Sequence, residues 1–156
     1  MADRNALRTR LLSLLVAETR QLGEFAQLLE REQQILGQRD VEPLFAISEE
    51  KNRFARQFQQ FADSRTAVLT QAGVEASREG VESLLDEADL PAWQTYLELA
   101  IRARNLNETN GLILTQRLAH NHQALAILMA HSDQPTVYGP DGASRTRPGS
   151  RSLGSY

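Results

Sequence analysis

Two long stretches in which apolar residues alternate at spacings of four and three constrain this 156-residue chain more than any other feature. The first holds Leu11, Leu15, Glu18, Leu22, Phe25, Leu29, Glu32 and Leu36, with no proline between residues 5 and 36. The second holds Leu44, Ile47, Lys51, Phe54, Phe58, Phe61, Arg65, Val68 and Ala72. Such spacing keeps one stripe of an α-helix facing a neighbouring helix, and a β-strand cannot use it because its side chains alternate with period two. Two seam helices follow, closed by Gly37 and Gly73, with Asp40 predicted to cap the second and Pro43 tolerated in its first turn. Leu7, Leu14, Leu28 and Ile35 form another stripe on the first helix, so it is predicted to touch two neighbours.

Each seam is interrupted twice by charge, and the signs are opposite. In an antiparallel hairpin Glu32 meets Lys51 and Glu18 meets Arg65, the residue numbers summing to 83 in both pairs. One register therefore serves both. The alternative is that all four side chains reach outward to water.

Residues 74–90 are predicted to be a connector in which Val81, Leu84 and Leu85 can form one short amphipathic turn after Ser77 and Gly80. Asp89 and Pro91 give cap and first-turn signals for a third helix running to about Ala130, roughly 60 Å long at 1.5 Å per residue. Its stripes are Tyr96, Leu99, Ala103 and Leu106, then Leu114, Leu118, Leu125 and Leu128. Between them Asn105 to Gly111 is rich in poor helix formers, which implies either a close backbone approach at Gly111 or a break. The expected fold is all-α: an elongated antiparallel three-helix bundle with a short connecting helix. Residues 1–131 make the helical domain and 132–156, rich in Pro and Gly, a disordered tail.

The chain carries a net charge of -3, too negative for a protein that tracks phosphate backbones, so nucleic acid is not an expected partner. With no Cys, disulfides and thiolate chemistry are excluded, and the cytoplasm is the expected compartment. Arg4, Arg8 and Arg10 before the apolar run Leu11 to Ala17 superficially suggest a secretory signal, but the run is too short and Glu18 follows it. No stretch approaches the length needed to span a bilayer.

Phosphate loops, nucleophile elbows and Glu-x-x-His metal pairs are missing from the sequence. His120 and His122 point to different sides of a helix, and His131 suits a helix C-terminus. The remaining carboxylates read as solvated faces. Neither catalytic residues, nor a metal site, nor a cofactor is expected. The surplus of the third helix is expected to reach past the hairpin with Leu125, Ile127, Leu128 and Met129 uncovered, a docking strip for a guest amphipathic helix. The same residues could instead pack within the chain itself or be covered within a homodimer. The competing reading is a structural or regulatory coiled coil that assembles with itself.

The leucine-rich first helix with Glu18, the second with Lys51, Trp93 opening the last, Asn107, Asn110 and Gly111 followed by Leu112 and Ile113, and then Tyr138 to Gly142 together resemble the FlgN-type flagellar export chaperones. The resemblance covers nearly the whole chain and implies a cytoplasmic chaperone that binds the C-terminal helices of hook-filament junction proteins. It would prevent their premature assembly and deliver them to the export gate without ATP; separately from the resemblance, the chain could form a weak homodimer. Client binding then falls on Leu114, Leu118, Leu125, Ile127, Leu128 and Met129, and contact with the export gate on Tyr138.

Overall fold

The computed structural model describes residues 3–132, so the tail and Tyr138 lie outside the described residues. Among the described residues four α-helices follow in order, α1 (Arg4–Leu36), α2 (Leu44–Gln71), α3 (Arg78–Leu84) and α4 (Leu90–Ser132), with one 3-10 turn at Glu87–Asp89. There is no strand among the described residues. One compact unit ends at Gly111 and a second begins at Leu112.

In the first unit α1 is the central element. Its seam leucines Leu11, Leu15 and Leu29 are fully buried, and its second stripe contributes Leu7 and Leu28. At one end Leu7, Leu11 and Leu15 pack with Val68 and Leu69 of α2, with Val81, Leu84 and Leu85 of the α3 segment, and with Trp93 of α4. Further along, Leu22 and Leu29 meet Ala103 of α4, while Leu28 meets Ile47 and Phe54 of α2. Phe25 ties the two sides together, its ring 5.3 Å from that of Phe54 and 5.4 Å from that of Phe58. The connector is thus a true part of the core, because Val81 and Leu84 recur on the face of α3 that turns inward.

Two predicted caps act differently. The N-cap position of α2 is Pro43, and the Asp40 carboxylate instead accepts from the Glu42 amide at 3.0 Å, shaping the turn ahead of the helix. Asp89 closes the 3-10 turn by accepting from the Asp86 amide at 2.9 Å, and it also receives Arg8 of α1 at 2.6 and 3.2 Å. Its carboxylate is buried, and a bidentate guanidinium satisfies it there, where the sequence suggested a cap for the last helix.

That ion pair carries a pH signature. Hydrogen bonds from Arg8 first, then from the Asp86 backbone, hold the Asp89 carboxyl below the usual aspartate range. A depressed folded-state pKa gives stability that is present above the unfolded value and lost as pH falls through the folded one. Stability of the wild type is expected to fall below about pH 4 more steeply than that of Asp89→Asn, as read by urea denaturation across an acid pH series. Parallel pH profiles would exclude this contribution.

Gly73 ends α2 at φ 72°, with the Val74 amide donating back to the Leu69 carbonyl at 3.0 Å, a closure that L side chains resist. Gly80 is required by crowding: a Cβ there would lie 1.8 Å from the Glu75 carbonyl oxygen. Gly80→Ala is expected to cost about 1–3 kcal/mol in thermal unfolding, since backbone has to move. At Gly111 the expected close approach is not found. Nothing lies within 4 Å of a Cβ built there, and α4 runs through the Asn105 to Gly111 segment without a break.

Candidate functional site

The polar residues on the seams form two tiers. In one, Glu18 of α1 is 4% exposed and receives Arg65 of α2 on Oε1 and the Tyr96 hydroxyl of α4 on Oε2, the latter at 3.2 Å. The Arg65 guanidinium also lies 5.7 Å from the Tyr96 ring centroid, and that ring stacks on Trp93 at 5.3 Å. Burial, with Glu18 beside it, pushes the Tyr96 phenol up to about 12. In the other tier, Glu32 receives Lys51 Nζ at 3.2 Å on both oxygens and Asn110 Nδ2 at 2.8 Å. Asn110, 2% exposed, also donates to the Leu29 carbonyl at 2.8 Å.

Each tier is thus a carboxylate from α1, a cation from α2 and a neutral donor from α4. The α4 donors lie 78 residues beyond their carboxylates in both cases. None of the four seam charges is left to solvate alone, and a paired, hydrogen-bonded charge in a seam fixes register more than it adds stability. Sequence reasoning found the charges and missed both α4 donors. The signal was available, since Tyr96 and Asn110 repeat at the same two-heptad interval as Glu18 and Glu32.

The second unit differs in kind. Leu112, Leu114, Leu118, Leu125, Ile127, Leu128 and Met129 are all exposed, from 42% at Leu114 to 69% at Ile127. Leu114, Leu118, Asn121, Leu125 and Leu128 follow one another at four, three, four and three, the spacing of a helix seam. The residues assigned to client docking from the sequence, Leu114, Leu118, Leu125, Ile127, Leu128 and Met129, all lie in this unit and are solvent-exposed. His120, His122 and His131 are exposed as well, and no group of acidic, His or Cys side chains among the described residues could hold a metal. No helix among them is long and apolar enough to cross a membrane.

Seam-built helices joined by polar tiers in the first unit, and exposed apolar side chains at helical spacing in the second, define an all-α protein of the helical-bundle class among the described residues. The FlgN protein family matches residues 1–146, and the chain belongs to that family, whose members are flagellar chaperones and not enzymes. Relatives called flagella synthesis protein FlgN include that of Proteus mirabilis, 31% identical over 80% of this chain and 83% of its own. That of Yersinia enterocolitica is 31% identical over 80% and 86%, and that of Salmonella typhimurium 32% identical over 86% and 89%. No solved structure matches significantly.

Proposed function

We propose that this chain is a cytoplasmic export chaperone that holds the C-terminal helices of hook-filament junction proteins, keeps them from assembling early and delivers them to the flagellar export gate. Residues 1–131 are its holding domain and 132–156 its tail, with Tyr138 the contact for the gate. Membership of the FlgN family and relatives named for flagella synthesis support the flagellar setting. The observation that carries the holding role is the exposed stripe of α4 at Leu114, Leu118, Leu125 and Leu128; Ile127 and Met129 are assigned to the same docking surface.

The energetics favour a guest helix. Burying about five apolar anchors gains on the order of 10 kcal/mol gross, and ordering the guest and associating take back several. The net is reversible binding without chemistry, which is what a client that must later be released requires.

The test is titration of the C-terminal helical segment of a junction protein into the purified chain. Leu125→Ser together with Leu128→Ser is expected to lower affinity at least tenfold while leaving the helical circular dichroism signal in place. Unchanged affinity would move the site elsewhere. Sedimentation of the chain alone distinguishes the alternative, because a tight dimer that hides Leu118, Leu125 and Leu128 would make it a self-assembling coiled coil.

A further inference from the structure

Asn121 interrupts the open seam at its centre, between Leu118 and Leu125, and is exposed. An amide at such a position is hydrated while the seam is open and loses that water when a guest helix covers it. If the guest is apolar throughout, the amide is buried without a partner, and the guest is penalised for the group it fails to meet.

The folded unit of this same chain shows how its α4 seam donors are answered. Tyr96 and Asn110 each donate to a carboxylate that α1 carries in an otherwise leucine-rich seam, Glu18 and Glu32. Around Glu18 that seam reads Leu11, Leu15, Glu18, Leu22, Phe25, the four-three-four-three order that the open seam repeats with Asn121 in the central place. Charge agrees with the chemistry. No Asp or Glu stands between Glu108 and Asp133, and Arg117 lies one turn before Asn121, so an incoming carboxylate meets no like charge.

We infer that Asn121 is a specificity residue of the docking seam, selecting guest helices that resemble α1: a leucine-rich seam broken once by an acidic side chain that accepts a hydrogen bond from the Asn121 amide. The inference rests on the holding role proposed above and names the class of helix that role prefers. It also sets the guest's position along α4, because a slip of one heptad would place the guest's carboxylate against leucine.

The experiment uses the full chain and two synthetic amphipathic peptides of three heptads, identical except for Glu or Leu at the central seam position. The ratio of their affinities is measured for the wild type and for Asn121→Leu, with Asn121→Ala as a second variant. Since the side chain is exposed, neither substitution should disturb folding, and circular dichroism checks this. The expected result is a ratio that shifts by about tenfold or more towards the Leu peptide in Asn121→Leu, and in the same direction in Asn121→Ala. Equal ratios in all three proteins, with both peptides bound, would overturn the selection by Asn121 and leave the holding role standing. If neither peptide binds and the junction-protein segment also fails, the holding role falls and this selection with it.

Discussion

Glu18→Lys is expected to destabilise the folded chain by about 3–5 kcal/mol, since it places a second cation against Arg65 in a seam where both side chains are largely buried. Adding Arg65→Glu to the same chain should return at least half of that loss, because the reversed pair restores attraction while the Tyr96 hydroxyl can then accept from the lysine. Chemical denaturation of the two single variants and the double variant gives the coupling directly. Penalties that simply add would show that the tier does not act as a pair. The same cycle at Glu32 and Lys51 should give a smaller coupling, because Lys51 is more exposed and Asn110 still satisfies one carboxylate oxygen after Lys51 is lost.

The second large effect is expected at the lone tryptophan. Trp93→Ala should cost about 3–5 kcal/mol, because Trp93 is buried among Leu7, Leu11, Leu15, Val81 and Leu84 and stacks on Tyr96. Its indole Nε1 also donates to Glu82 of α3 at 2.9 Å, and that bond first, then Arg78, holds the Glu82 carboxyl below its ordinary range. Trp93→Phe keeps most of the ring contact and forfeits the donor, so its cost should be nearer 1 kcal/mol. Thermal unfolding followed by far-ultraviolet circular dichroism separates the two. Equal losses would mean that the hydrogen bond to α3, and not the packing, holds this end of the unit together.

How much of this could be read from residues alone depended on whether one helix carried its own period. In α1 and α2 the four-and-three spacing is unbroken over more than three heptads, and both helices have the bounds it implies to within a residue or two. In α4 the buried positions are Trp93, Ala103 and Asn110, a large ring, a methyl and an amide, which no hydrophobicity pattern groups together. Their faces emerge only against the carboxylates of α1. The cap signals at Asp40 and Asp89 misled for a related reason: a carboxylate ahead of a helix serves whichever donor is nearest, and here those were a turn amide and Arg8. The open seam was legible because its leucines keep helical spacing. The role proposed for the polar break at Asn121 rests on Asn110 and Tyr96, whose partners the structure supplies.

The shared interval of the two tiers has a consequence for folding. If α2 slid along α1 by one heptad, Glu32 would face Leu44 or Phe58 and Glu18 would face Phe58 or Ala72, so neither acid would find its cation. Such a misaligned hairpin would still bury its leucines, yet strand charge in oil. Two teeth cut at the same pitch on three shafts leave one way to mesh, and a newly made chain that collapses out of step is driven to let go and try again.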